Sequence, residues 1–354
     1  MSTSISSRAL PVLVAGGGIG GVAAALALAR QGFAVKVLEQ APQLGEIGAG
    51  IQLGPNAFAA FDALGIGELA RGRAVYTDEM VMHDALDERL VGRIPTGEAF
   101  RARFGNPYAV IHRADIHTSL LEGARTHGQI ETLTGTRIEA VQQEGDTVTV
   151  RDQHGQVHVG QALIGADGVK SVVRQQYVGD AARVSGHVVY RAVVEKNDFP
   201  EDLRWNAASI WVGPNYHLVH YPLRGGEQYN VVVTFHSREH EEWGVREGSR
   251  QEVQSYYSDC CPRARQLIDL PKSWKRWATT PYRHRIDPAR PARRTVEPAG
   301  LPQRFPFARS AVERGTVPCP LRRLLRYRSR SVGTVEERSR SAVLLPNIKV
   351  RSGE

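Results

Sequence analysis

Three glycines near the start of the chain have the spacing that brings a backbone close to a pyrophosphate. Gly16, Gly18 and Gly21 form the pattern G-x-G-x-x-G. In such a pattern the first glycine permits a tight turn, the second lets phosphate approach the backbone, and the third lets a helix pack closely on a strand. Glu39 follows Gly21 by 18 residues, a position from which a carboxylate accepts hydrogen bonds from a ribose. Together these residues predict a dinucleotide site.

The elements that must hold these glycines are also indicated by the sequence. The apolar residues 11–15 predict a strand before them, and the alanine-rich residues 23–29 predict a helix that Gly32 ends. Residues 34–38 predict a second strand that leads directly to Glu39. The helix N-terminus then faces the phosphates with free N–H groups and the positive end of its dipole. A glycine-rich turn in another kind of strand–helix–strand unit is the alternative.

Farther along the chain, short strands alternate with helices. Residues 48–53 are predicted to form a glycine-rich loop, and Pro55 begins a helix that Gly65 ends. A strand at 108–111 precedes a helix that is predicted to begin at about Asp115. Further strands are predicted at residues 137–141, 147–150, 162–166 and 229–233. This alternation indicates an α/β fold.

Residues 216–222 predict a strand with chemically active side chains on one face. Because side chains alternate along a strand, His217, Val219 and Tyr221 share one face, and His220 lies on the other. A histidine and a tyrosine on a half-buried strand are either hydrogen-bonded residues of the core or members of an active site. The residues alone leave both interpretations open.

Two further histidines invite a metal-site interpretation. His236 and His240 have a spacing that would suit metal ligands on a helix. Glutamates surround them, so we interpret residues 235–243 as the start of a solvent-exposed helix and predict no metal site.

Charge and composition exclude several classes of function. Residues 281–354 contain 16 Arg and one Lys against six acidic residues, and since the whole chain carries +8, residues 1–280 carry −3. The body of the protein therefore has no electrostatic support for binding nucleic acid. We find neither a signal peptide nor a long apolar span, and three cysteines without a disulfide framework suit the cytoplasm.

Taken together, these segments resemble the flavin-dependent aromatic hydroxylases, the single-component FAD monooxygenases related to p-hydroxybenzoate hydroxylase. Within that family the chain is most similar to members that act on 3-hydroxybenzoate and salicylate. Four matches support the resemblance in the family's order: the glycine pattern with Glu39, the loop at 48–53, Ile-His-Arg-Ala-Asp at 111–115, and Asp167-Gly168 followed by Ser171 and Arg174.

The resemblance implies FAD as cofactor and NADH, or NADPH, as co-substrate. Glu39 would hold the adenosine ribose, Arg113 would contact the FAD, and the turn at Asp167 would serve both FAD and NAD(P)H. The implied cofactor-binding residues are Gly16, Gly18, Gly21, Glu39, Gln52, Arg113 and Asp167.

The resemblance also implies the reaction. Molecular oxygen and a small aromatic acid are the substrates, and a hydroxybenzoate would be hydroxylated para to its hydroxyl, with 3-hydroxybenzoate giving 2,5-dihydroxybenzoate. His217 would assist deprotonation of the phenol, while Tyr221 and Tyr108 would orient the ring. Salicylate-type and hydroxynicotinate hydroxylation are alternatives, and a homodimer stays open.

The family's organisation implies two interleaved domains. A Rossmann-like FAD-binding domain would span residues 1–180, with 74–107 contributed to a mixed-sheet substrate domain that continues over 181–280. The resemblance ends there, because residues 281–354 lack the strand and Gly-Asp segment that the family has next. We interpret this Arg- and Pro-rich tail as disordered and as the product of a frameshift or a fused foreign end. A non-catalytic, defective FAD-binding chain is therefore the second hypothesis.

Overall fold

A computed structural model describes residues 9–45, 48–179 and 184–279. These residues belong to one of the two compact units into which the chain divides, residues 1–300. The helices of the described residues are α1 (Ile19–Ala29), α2 (Pro55–Leu64), α3 (Gly67–Arg73), α4 (Glu98–Phe104), α5 (Arg113–Arg125), α6 (Val172–Val178), α7 (Arg250–Tyr256) and α8 (Pro262–Asp269). Short 3-10 helices span Lys196–Asp198, Glu201–Leu203 and Arg224–Gly226.

The strands of the same residues form four sheets. They are β1 (Val12–Ala15), β2 (Val35–Leu38), β3 (Gly50–Leu53), β4 (Glu79–Asp84), β5 (Leu90–Pro95), β6 (Ala109–His112), β7 (Ile130–Leu133), β8 (Ile138–Glu144), β9 (Thr147–Asp152), β10 (Val157–Gly160), β11 (Ala162–Gly165), β12 (His187–Glu195), β13 (Ala207–Gly213), β14 (Tyr216–Leu223), β15 (Gln228–His236), β16 (Val245–Gly248) and β17 (Trp274–Ala278).

The first sheet is parallel, in the order β11-β1-β2-β7. Every residue of β1 is buried, as is typical of a parallel strand covered on both faces. The alanine-rich α1 packs beside it, and its N-cap is Gly18, with no side-chain cap. The backbone donors of the first helical turn therefore point out of the sheet edge without a side chain over them.

The largest sheet is mixed, in the order β16-β17-β12-β15-β14-β13-β4-β5. All neighbouring strands are antiparallel except β4 and β13. One face packs on α7 and α8 and forms the largest apolar core of this sheet. The opposite face, which we call the open face, presents His217, Val219 and Tyr221 of β14, Asn230 of β15 and Arg191 of β12.

Two smaller sheets complete the architecture. One is antiparallel, in the order β10-β9-β8, and the other pairs β3 with β6. The predicted loop at 48–53 is therefore largely a strand, because Gly50 to Leu53 pair with His112 to Ala109. Most other predicted elements lie within a few residues of their observed bounds, and the predicted α/β fold with a parallel and a mixed sheet is confirmed.

The predicted helix at 235–243 is wrong. Phe235 and His236 belong to β15, and the residues after them form a loop. Ser237 donates a hydrogen bond of 2.6 Å to Glu241, and Glu241 forms a buried ion pair with Arg276. This inward-facing carboxylate gives the segment a long-range partner that its polar sequence does not reveal.

The described ranges contain neither a membrane-spanning helix nor a metal-binding cluster of side chains. No helix among them is long and apolar enough to cross a membrane. No group of three His, Cys, Asp or Glu side chains in these ranges is placed to hold a metal ion. The predictions about residues 281–354, including their disorder, fall outside the described residues.

Candidate active site

The glycine turn between β1 and α1 has no room for side chains. Gly16 has φ +96°, and a Cβ there would lie 2.5 Å from the carbonyl oxygen of Ala166. A Cβ on Gly21 would lie 1.8 Å from the carbonyl oxygen of Gly16. Both positions therefore require glycine, the first for its conformation and for space, the second for space alone.

Glu39 turns its carboxylate back towards this loop. Its two oxygens accept hydrogen bonds from the backbone N–H groups of Gly17, at 2.5 Å, and Ala41, at 2.8 Å. A carboxylate has about four acceptor sites, so these two bonds fix its orientation and leave capacity for sugar hydroxyls. The buried ring of His117 contacts the carbonyl oxygen of Gly17 at 2.7 Å. Sequence reasoning missed His117, whose partner lies 100 residues away.

Asp167 lies beside the same loop and organises the turn into α6. Its carboxylate accepts hydrogen bonds from the hydroxyl of Ser171 and from the N–H of Val173. Ser171 in turn caps α6 by accepting the N–H of Arg174 at 2.9 Å. The Asp167 backbone approaches Gly16 so closely that a Cβ on Gly16 would lie 3.0 Å from its Cα. The fold thus brings the glycine pattern and the Asp167 turn together.

Arg113 begins α5 immediately after β6. Its backbone N–H donates to the carbonyl oxygen of Ala49 at 3.0 Å, which ties the helix start to the strand pair β3–β6. His112 caps this helix by accepting the N–H of Ala114 at 3.3 Å, and burial lowers the pKa of its imidazole. A Cβ on Gly48 would lie 1.7 Å from the His112 ring. The sequence did not predict that His112 caps α5.

Tyr108, Gln52 and Tyr221 form one cluster where β3 meets the open face. The hydroxyl of Tyr108 donates to Oε1 of Gln52 at 2.6 Å. Tyr108 and Tyr221 pack in one apolar cluster with Val110 and Ala208. Burial raises the pKa of both phenols, so both stay protonated and able to donate hydrogen bonds at neutral pH.

His217 lies on the same face of β14 as Tyr221, four residues earlier, and is half-buried. Burial lowers the pKa of its imidazole, and the nearby His187 lowers it further. The neutral form of His217 therefore prevails at neutral pH, and a neutral imidazole can accept a proton. No direct contact between His217 and Tyr221 is observed in the described structure; what they share is the face.

His220 is on the opposite face, as predicted. It is 1% exposed, stacks near Trp205 and Trp211, and burial lowers its pKa to about 3. Such a group stays neutral and out of reach of a ligand, so His220 is not part of the site.

Asn230 was missed because it stands in an apolar run that we had assigned a purely structural role. It is completely buried, and its Oδ1 accepts the N–H of Gly50 at 2.8 Å. A Cβ on Gly50 would lie 2.5 Å from the Tyr221 ring. Asn230 and Tyr221 together hold β3 against the open face. The only available signal was a polar residue inside an apolar strand.

Comparison with known proteins identifies the family. The model of the FAD binding domain matches residues 9–281. This chain belongs to the FAD-binding monooxygenase family. A 3-hydroxybenzoate 6-hydroxylase of Polaromonas naphthalenivorans (strain CJ2) is 79% identical over 270 residues, which cover 76% of this chain and 68% of that protein. A 3-hydroxybenzoate 6-hydroxylase of Klebsiella oxytoca is 58% identical over 273 residues, covering 77% and 69%.

Solved structures agree on the fold. A salicylate hydroxylase in complex with its substrate superposes with a TM-score of 0.64 at 25% identity, covering 78% of this chain and 69% of the other. HpxO of Klebsiella pneumoniae, solved with FAD and uric acid, gives 0.66 at 21% identity, covering 77% and 68%. Membership of the FAD-binding monooxygenase family confirms the predicted FAD-dependent aromatic hydroxylase with NAD(P)H as co-substrate.

The residues present fit the cofactor. Main chain packs against main chain at Gly16 and Gly21, the first turn of α1 has no side-chain cap, and the carboxylate of Glu39 lies beside the loop. Uncapped N–H groups at a helix N-terminus are the arrangement that binds pyrophosphate.

Proposed function

We propose that this enzyme hydroxylates 3-hydroxybenzoate para to its hydroxyl group and so forms 2,5-dihydroxybenzoate. The observation that supports this most directly is the 79% identity, over 270 residues, to a 3-hydroxybenzoate 6-hydroxylase. Salicylate-type and hydroxynicotinate hydroxylation are less well supported, since a 6-hydroxynicotinate 3-monooxygenase of Bordetella bronchiseptica is 28% identical over 271 residues.

The proposed cofactor site follows the glycine turn. We assign FAD binding to the following residues: Gly16, Gly18, Gly21, Glu39, Gln52, Arg113 and Asp167. When bound and reduced by NADH, the flavin activates molecular oxygen for transfer to an aromatic ring. The protein would then bind the aromatic acid, orient its ring and exclude water from the reacting atoms.

The open face would provide the substrate-handling groups. Neutral His217 accepts the proton of the substrate phenol, which makes the ring electron-rich and ready to accept oxygen. Tyr221 keeps its proton and donates a hydrogen bond that orients the ring, while Tyr108, whose proton goes to Gln52, offers its oxygen as an acceptor. Val219 and Val110 line the same region with apolar surface, which keeps water from the reacting atoms.

Oxygen consumption with NADH, FAD and 3-hydroxybenzoate tests this proposal. Coupled conversion, with one 2,5-dihydroxybenzoate formed per NADH consumed, would support the activity in the 354-residue chain. Salicylate and 6-hydroxynicotinate serve as competing substrates in the same assay. A faster coupled turnover of either one would contradict the assignment of 3-hydroxybenzoate.

A non-catalytic FAD-binding chain is the second candidate. It is favoured by the end of the family match at residue 281, which leaves the Arg- and Pro-rich residues after it without a counterpart. Under this hypothesis the chain binds FAD weakly and oxidises NADH without forming product. Restoring activity by grafting the C-terminal part of the Polaromonas naphthalenivorans enzyme after Thr279 would show that the body is competent and the tail is not.

The cellular location, the domain division and the oligomeric state of the protein are proposals as well. We propose a cytoplasmic location, since Cys260 and Cys261 are buried free thiols and NADH is an intracellular reductant. The domain division at residues 74, 107 and 180 is supported by the sheet order, in which β4 and β5 join strands β12 to β17. A homodimer stays a prediction that sedimentation analysis of the purified chain would test.

A further inference from the structure

Arg191 is a partly buried cation on the open face, and the mechanism above does not use it. It lies on β12 directly opposite Val232 of β15, and Val232 lies opposite Val219 of β14. Residues directly opposite each other in adjacent strands share a face. Arg191 therefore projects on the same side as His217 and Tyr221, two strands away and level with the midpoint between them.

The guanidinium of Arg191 has no carboxylate partner in the part of the chain that the structure describes. The guanidinium lies over the ring of Trp277, 5.8 Å from the ring centroid. The nearest acid along the strand, Glu195, instead accepts a hydrogen bond of 2.7 Å from Gln228. A partly buried guanidinium without an anion is costly, because burial removes hydration that no counter-charge replaces.

The surroundings of Arg191 act on its charge in opposite directions. Burial lowers the pKa of its guanidinium, the nearby phenol of Tyr221 raises it, and the positive charge of Arg113 lowers it. Arg191 thus lies within electrostatic reach of Arg113, which is proposed to contact FAD, and of Tyr221, which is proposed to orient the substrate.

Arg191 also lines a cavity of about 250 Å³. Gly48, next to β3, and Val193 and Trp277, from the large sheet, lie on its walls. The other cations on these walls are already paired: Lys272 with Asp198 at 2.7 Å, and Lys275 with Glu247. Two carboxylates also line the cavity, Asp198, which is paired with Lys272, and Glu195, which accepts a hydrogen bond from Gln228. Among the cations on these walls, Arg191 is therefore the one without a carboxylate partner in the described residues.

We propose that Arg191 binds the carboxylate of the aromatic acid, and so makes the enzyme specific for acids over neutral phenols. This assignment rests on the proposed function, because it takes a hydroxybenzoate as the substrate. The planar fork of a guanidinium matches a carboxylate with two parallel hydrogen bonds. With the carboxylate at Arg191, the ring extends across the face towards His217 and Tyr221, which places the phenol near the proposed base.

Equilibrium binding to the full chain in the presence of FAD tests this proposal. The ligands are 3-hydroxybenzoate and its neutral analogue 3-hydroxybenzyl alcohol, measured by calorimetry. We expect Arg191→Met to weaken binding of the acid by roughly 10- to 100-fold, the range of a hydrogen bond to a charged group, and to leave the alcohol unchanged. Lys196→Met, which removes an exposed cation paired with Glu227, is the matched control.

A second variant guards against a folding defect in the first. Arg191→Lys keeps the charge but loses the planar fork, so we expect an acid affinity between those of the parent and Arg191→Met, with the alcohol again unchanged. Equal binding of the acid by the parent and both variants would overturn the proposal. So would a selective loss of FAD or NADH affinity, which would assign the guanidinium to a dinucleotide phosphate. A parent chain that binds neither aromatic compound would instead contradict the proposed function itself.

Discussion

The glycine turn at residues 16–21 and the open face of the large sheet would meet their proposed ligands in different ways. The turn offers backbone, and a Cβ on Gly16 or Gly21 would collide with main-chain carbonyl oxygens. The open face offers side chains of His217, Tyr221 and Arg191 on strands whose backbone is ordinary. The turn therefore depends on the absence of side chains, whereas the open face depends on the chemistry of the side chains it carries. The predictions below test this contrast.

The largest effect is expected from Gly18→Ala. Gly18 is the extended N-cap of α1, and a methyl group there would occupy the space through which a pyrophosphate approaches. Loss of two charge-assisted hydrogen bonds, each worth about 1.5–3 kcal/mol, would weaken FAD binding by roughly 10²-fold or more. Flavin absorbance of the purified protein measures the effect.

Gly20→Ala is the matched control for that experiment. Gly20 is exposed on the same helix, and a Cβ there meets nothing within 4 Å. We expect it to retain FAD. Equal flavin content in both variants would mean that the turn does not hold the cofactor.

His217→Ala tests the side-chain half of the contrast. We expect hydroxylation to slow by about 10²-fold, the low end for a lost acid–base group, while flavin reduction by NADH changes less. Peroxide release should rise because reduction continues without transfer to the ring. The rates are best compared in a chain with the family's C-terminal part grafted after Thr279. Unchanged hydroxylation would make His217 a structural residue.

His220 supplies a contrast within one strand, because it affects stability and not catalysis. Its folded pKa is about 3, against 6.5 for an unperturbed imidazole. Between these values the unfolded chain binds the extra proton, so the free energy of unfolding falls as pH falls below 6.5. The slope from this group is about 1.4 kcal/mol per pH unit, or about 2 kcal/mol at pH 5.

Urea unfolding at pH 7 and pH 5 measures that slope. His220→Phe removes the titrating group while keeping an aromatic ring, and Nε2 of His220 has no hydrogen-bond partner to lose. We expect its stability to depend less on pH than that of the parent. Exposed His154→Gln should leave the parent's pH dependence intact. Identical slopes in all three proteins would contradict the assignment.

The smallest effect is expected from Tyr108→Phe. This change removes the hydrogen bond of 2.6 Å to Gln52 and keeps the ring. It also removes the oxygen that is proposed to accept a hydrogen bond from the substrate, so the affinity for 3-hydroxybenzoate should fall by about 1 kcal/mol, the net worth of a neutral hydrogen bond. Tyr177→Phe, at a tyrosine 52% exposed, should leave the affinity unchanged. An affinity for 3-hydroxybenzoate equal to that of the parent would contradict the proposed orienting role of Tyr108.

The same contrast explains how much could be predicted from sequence. Gly16, Gly21 and Glu39 were found because a short pattern encodes a backbone shape. His217, Tyr221 and Tyr108 were suggested by the family resemblance, since strand alternation alone left a structural role open. Their roles stay proposals.

What the sequence failed to reveal depends on partners far apart in the chain. His117 and Asn230 contact residues 100 and 180 positions away, and no local pattern marks such pairs. The helix predicted at residues 235–243 is absent because Glu241 in this segment forms a buried ion pair with Arg276, which is also far away in the chain. In both cases the partner, rather than the segment itself, decides the structure.

The hydrogen bond from Gly50 to Asn230 also sets a time at which the site can form. It joins residues 180 positions apart, so β3 reaches its final support only after that much more chain has been made. At ribosomal rates of about 5–20 residues per second, roughly 10 to 40 s separate the synthesis of the two partners. Within this interval β11 and the turn at Asp167 are made, and they complete the parallel sheet around β1. The nascent chain can therefore complete the loop proposed to hold a nucleotide before it has made the open face on which a substrate would lie.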